Sequence, residues 1–137
     1  MATDSPGRFQ MRFLSYELTR KLLENGKPEN RDQDHPPVVK LFLPNTPCTW
    51  LLSEIDYQEP TIAFGLCDLG LHCPELGYVS LTELATIKSP ILNLSVECDR
   101  YFTGRYPLSV YAEAAKLCAG ITEDKIMLAR IASKYNL

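Results

Sequence analysis

Little in this chain is set aside for chemistry. It carries two histidines and one tryptophan in 137 residues, and no stretch matches a catalytic or cofactor motif of high specificity. No apolar run approaches the roughly 20 residues that span a bilayer. The opening MATDSPGRFQ lacks the apolar segment of a secretory signal. A cytoplasmic protein with no membrane partner is therefore expected. The five cysteines are odd in number and irregularly spaced, which argues for reduced, packed thiols rather than a disulfide framework. There is no internal repeat and no low-complexity tract.

What is present is the composition of a soluble globular domain, with 45% hydrophobic and 23% charged residues in a chain long enough to bury one core. The net charge of −3 is unevenly spread. Residues 1–37 balance six basic against six acidic side chains, residues 38–104 carry three against eight, and residues 105–137 carry five against three. An acidic middle repels phosphate, so nucleic-acid contact is conceivable only at the C-terminal end.

Hydrophobic periodicity divides the chain. Residues 1–10 read as a mobile extension and 11–137 as a single domain. Leu14, Leu18 and Leu22 recur at helical spacing, with Gly26 and Pro28 as a stop, and residues 26–37 form a polar exposed loop. VVKLFLP and CTWLLSEID, joined by Asn45, Thr46 and Pro47, predict a hairpin. Strict alternation in its second strand places Trp50, Leu52, Glu54 and Asp56 on one face and Thr49, Leu51, Ser53 and Ile55 on the other. TIAFGLCD makes a third strand, residues 69–77 a loop, and Ser80 with Glu83 a capping box opening a short helix to Ile87. ILNLSVECD alternates as a further half-buried strand, with Glu97 and Asp99 on its wet face. A C-terminal helical hairpin over 106–137 follows, with Pro107 opening its first helix. Val110, Ala114, Leu117 and Cys118 are expected to face inward on that helix, and Leu128, Ile131, Ala132 and Tyr135 on the second. The fold class read from these signals is α+β, an antiparallel sheet of four to five strands with helices at both chain ends packing on one face.

Three chemistries are worth weighing. Glu54, Asp56, Asp68, Glu97 and Asp99 would hold a divalent cation if two or three converged. Their usual role is to be solvated at a sheet surface, and no metal is assigned. Cys67, Asp68, His72 and Cys73 cluster in sequence, but a structural zinc site needs a second ligand pair that is absent. The segment AKLCAGITEDKIMLARIASKYNL approximates a helix-turn-helix, in which Lys125, Arg130 and Lys134 would meet DNA. Glu123 and Asp124 put the wrong charge at the end that enters the groove.

Several landmarks occur in a familiar order: LSYELTRKL, VVKLFLP, Thr49 with Trp50, Glu54, FGL at Phe64 to Leu66, ELGYVSLTEL at Glu75 to Leu84, and E-x-D-x-Y-F at Glu97 to Phe102. Over about residues 11–109 the chain resembles the bacterial family known as domain of unknown function 2958. The resemblance implies a small cytosolic protein of the kind carried on plasmids, phages and integrated elements, and it implies no activity or cofactor. The expected function is protein binding by an accessory protein of a mobile element, inhibiting a host or defence complex, through Trp50, Glu54, Asp56, Glu97, Asp99 and Tyr101. A DNA-binding regulator and a metal-dependent hydrolase are the alternatives.

Overall fold

The computed structural model describes residues 11–137; the extension expected over 1–10 lies outside the described residues. Helix α1 spans Tyr16–Asn25, where the Ser15 hydroxyl accepts from the Leu18 amide at 3.1 Å and Leu22 is completely buried. Gly26 ends it against β2, so close to the Ile55 carbonyl that a β-carbon would sit 1.7 Å from that oxygen. Strands β1 (Val39–Phe42), β2 (Thr49–Ile55), β3 (Ile62–Asp68) and β4 (Glu75–Ser80) follow as an antiparallel meander. Helix α2 (Leu81–Leu84) starts where Ser80 Oγ accepts from Glu83 N at 3.2 Å. Strand β5 (Glu97–Cys98) then returns beside β1, giving the order β4-β3-β2-β1-β5. Helices α3 (Leu108–Cys118) and α4 (Lys125–Lys134) complete an α+β fold whose five-stranded sheet is flanked by helices from both chain ends.

The helices do not share one face. Trp50 and Leu52 of β2 join Leu22 of α1 and Leu81 and Leu84 of α2 in one core. Leu51 between them joins Leu66, Val110 and Ala114 of α3, and Leu128 and Ile131 of α4, in another. The uninterrupted run Trp50-Leu51-Leu52 is the sequence mark of a strand covered on both sides.

Four further expectations change. A bulge at Ser53 shifts the register from Leu52↔Gly65 to Glu54↔Phe64, so alternation breaks. Ile55 joins the α1 core with Leu52, while Glu54 swings to the α3 side beside Phe64 and Leu108. The bulged Ser53 carbonyl accepts from the Asn25 side chain at 2.9 Å. Residues 75–77 are not loop but the start of β4, an edge strand whose polar and apolar residues are similarly exposed, leaving no burial period to read. The long strand expected from Ile91 is only two residues, because Ser89 to Leu94 close into a turn. On α3 the inner stripe is Leu108, Val110, Tyr111, Ala114 and Ala115, with Leu117 and Cys118 exposed, and Tyr135 after α4 is exposed as well. Val110 and Ala114 face inward as expected, and the stripe is completed by Leu108, Tyr111 and Ala115, in one core with Leu66 of β3.

The polar loop 26–37 does structural work at its far end. Pro107 gives α3 no side-chain cap, and Asp34 supplies one instead, accepting from Ser109 N and Ser109 Oγ. Leu108 N donates to His35 O at 2.9 Å.

Candidate functional site

The residues expected to act together are scattered. Trp50 is 3% exposed and belongs to the α1-side core, so its indole is not available to a partner. Glu54 lines a small cleft of about 130 Å³ with Arg31, Asp34, His35 and Tyr78. Burial there pushes its carboxyl above the usual range, opposed by nearby His35 and reinforced by Asp32 and Asp56. Asp56 shapes the β2–β3 turn, its Oδ1 accepting from Gln58 N at 2.9 Å and Glu59 N at 3.1 Å. Glu97 lies level with Phe42 and, across β1, with Thr49. That is five residues along β2 from Glu54, or ~16 Å at ~3.3 Å per residue. Asp99 accepts from Tyr101 N at 2.9 Å and stands 3.7 Å from Lys40 Nζ. Tyr101 is 94% exposed and borders a cleft of about 440 Å³ with Arg105, Tyr106, Tyr111 and Lys125.

Glu54 therefore does not meet Glu97 and Asp99, the convergence a metal-dependent hydrolase required. Among the described residues no three of His, Cys, Asp or Glu gather where they could hold a metal ion. Asp68, paired in sequence with Cys67, His72 and Cys73, is buried and engaged elsewhere: Oδ1 accepts from Gly70 N and Oδ2 from Ile121 N, each at 2.9 Å. It ties the end of β3 to the α3–α4 turn. All five cysteines are free thiols. Burial pushes the Cys67 and Cys98 thiols up, which disfavours the thiolate a nucleophile needs.

The C-terminal cations do not make the single basic face a DNA reader needs. Lys125 and Arg130 are ~140° apart on α4 at 3.6 residues per turn. Lys134 is paired with Glu113. The α4 N-terminus is closed by its own Asp124, which accepts from Ile126 N and Met127 N. Six residues separate α3 from α4, more than the three to four of a helix-turn-helix.

Sequence reasoning passed over the most unusual residue in the molecule. Ile91 has φ +65° and a side chain as exposed as in an open chain, at 101%. Leu92 N donates to Pro90 O at 2.6 Å, making a γ-turn of the strained, positive-φ kind centred on a β-branched residue. The turn is held firmly. Buried Ser89 accepts from Leu94 N through its hydroxyl and from Asn93 N through its carbonyl, and donates its own amide to Leu94 O. Lys88 Nζ donates to Ser95 Oγ below it at 2.6 Å. Leu92 beside it is 58% exposed. The visible signal was Pro90 followed by two large apolar residues inside a polar stretch, which period-two alternation absorbed into a strand.

Sheet, two helical layers and a rigid apolar turn define a small α/β/α-layered domain with no assembled reactive centre among the described residues. The chain belongs to the family of proteins of unknown function DUF2958, whose model matches residues 13–122. The match takes in α3, which the motifs alone left outside the resemblance, and stops short of α4. No curated protein matches the chain, and no solved structure does.

Proposed function

We propose that this chain is a non-enzymatic protein-binding module that presents Ile91 and Leu92 to another protein. The observation that carries the reading is the strained γ-turn at Ile91. A backbone conformation costing about 1–3 kcal/mol is retained under a β-branched side chain that buries nothing within the monomer. Apolar display at that cost is accounted for by burial in a complex. Leu92, 58% exposed beside Ile91, widens the apolar surface that the turn presents. The setting, an accessory protein of a bacterial mobile genetic element acting in the cytoplasm to occupy a host or defence complex, rests on the family resemblance alone.

The test uses two baits, the full chain and its Ile91→Asn variant, immobilised in parallel and exposed to the same bacterial lysate. Asn tolerates positive φ, so the fold is kept while the apolar side chain is lost. At least one protein retained by the parent is expected to fall about tenfold or more on the variant, a loss of ~1.4 kcal/mol. Identical retention on both baits removes the Ile91 turn as the contact.

A further inference from the structure

We propose that β4 is a self-pairing edge: two copies of the chain join antiparallel through Glu75–Ser80 about a two-fold axis at Gly77, making one continuous ten-stranded sheet. This concerns a different surface from the Ile91 turn and stands whether or not that turn binds a partner.

Strand β4 is the outermost of five, and among the described residues no strand pairs its outer side. The phase of the ladder follows from Leu81 N donating to Thr61 O at 2.8 Å, together with the unbroken register from Ile62↔Ser80 to Cys67↔Glu75. Bonded pairs alternate in an antiparallel ladder, so Val79, Gly77 and Glu75 turn their main-chain groups toward β3. The N–H and C=O of Leu76 and Tyr78 point outward. Natural edges are blunted by charged side chains, proline or a bulge; here Pro74 and Glu75 guard only the start, and Leu76–Ser80 has none of these. Its side chains on the α3 face are Leu76, 46% exposed, and Tyr78, 74% exposed.

Gly77 supplies the second observation. At Gly26, Gly65 and Gly104 a β-carbon would collide with backbone, and at Gly70 with Pro47. At Gly77 a β-carbon would meet nothing within 4 Å, and its φ is not left-handed. The monomer gives no reason for glycine in this strand, where it weakens pairing. A strand glycine without a steric role in its own monomer fits a place where another backbone approaches closely.

Pairing Leu76 with Tyr78 of the second copy, and the reverse, uses the four outward groups of these two residues. It leaves the two Gly77 residues as the closely spaced, non-bonded pair, with α-carbons about 4.5 Å apart. Each Leu76 then lies against a Tyr78 on the α3 face, beside the existing Phe64–Tyr78 edge contact at 5.1 Å. The sole charge on the strand, Glu75, falls opposite Val79. The two Glu75 carboxylates are ~14 Å apart, beyond the Debye length of ~8 Å at physiological salt.

A single strand pair is a small interface, below the ~1,200 Å² of standard complexes, so a dissociation constant of ~10–100 µM is expected. Sedimentation of the full chain across that range, with residue-resolved amide exchange, tests it. The expected result is a monomer–dimer equilibrium in which the Leu76 and Tyr78 amides gain protection as concentration rises. Tyr78→Lys should weaken association at least tenfold with an unchanged circular dichroism spectrum. Leu76→Lys does the same without touching the Phe64 contact, should Tyr78→Lys disturb the fold. A monomer persisting at ~1 mM overturns the proposal. So does a dimer whose Leu76 and Tyr78 amides exchange freely, or protection that does not change with concentration, which would mean that the chain covers its own edge.

Discussion

Replacing Ile91 by glycine is expected to stabilise the protein while removing the apolar side chain proposed to meet a partner. The side chain is fully exposed, so its removal forfeits no burial. Its φ of +65° lies where glycine rests at no steric cost, and relief of the strained γ-turn returns about 1–3 kcal/mol. Glycine also loosens the unfolded chain, which takes back about 0.4–1 kcal/mol. The net gain is about 1 kcal/mol, or roughly 3 °C in Tm for a chain of this size. Ile91→Ala is the control, because it deletes the same exposed apolar surface but keeps a β-carbon and so keeps most of the strain. Urea unfolding of the three proteins, compared at equal m-values, measures the difference directly. If glycine is no more stable than alanine, the turn stores no strain, and the argument from strain to function collapses with it.

Three more outcomes follow from the same geometry. Asp68→Ala removes a buried acceptor of two amide bonds, each worth about 1.5–3 kcal/mol to a charged group. A combined loss of ~2–4 kcal/mol is expected because the two are not additive; rapid exchange of the Ile121 amide in the variant and not in the parent locates the loss at the α3–α4 turn. Asp34→Ala uncaps α3 from a distance and should cost about 1 kcal/mol, read by thermal unfolding, with no change meaning that Pro107 suffices. For Glu54, burial raises the folded pKa above the unfolded one, so its linked stability is present at low pH and lost as pH rises through the folded value. Glu54→Gln should therefore be more stable than the parent at pH 7, with the gap closing below about pH 4; a gap independent of pH would mean that Glu54 is not held in an unfavourable environment.

The sequence carried much of the fold because its strongest signals are local. Gly26 and Pro107 mark helix ends where they were read, and the β1–β2–β3 meander follows its turn residues. Two kinds of feature were not legible. The first is a break in register: no residue type in WLLSEI announces the bulge at Ser53, yet it reverses the face of Glu54 and returns Ile55 to the core, since a slip of one residue flips every side chain beyond it. The second is the use of polar side chains across the chain. That Asp34 caps a helix 75 residues away, or that Asp68 holds a turn 53 residues away, depends on packing that local patterns do not encode. Strand β4 escaped for a related reason, because an edge exposed on both faces leaves no hydrophobic period to detect.

The fate of the aspartates bears on function more than any cleft does. Asp34, Asp56, Asp68, Asp99 and Asp124 all accept main-chain amides, each at a turn or a helix start. Three of the eight acidic side chains of residues 38–104, Asp56, Asp68 and Asp99, serve the turns of the sheet, and that share of the segment's acidity is scaffolding. A carboxylate already accepting two amides is a poor proton shuttle and a poor free ligand, since its lone pairs are committed. Of the carboxylates weighed as a metal site, Glu54 and Glu97 are left outside this use, and they lie at separate places on the sheet. For the partner proposed above, specificity then rests on shape and apolar contact, which is where the molecule is anomalous: an isoleucine held outward against its backbone preference, and an edge strand that no other strand pairs among the described residues.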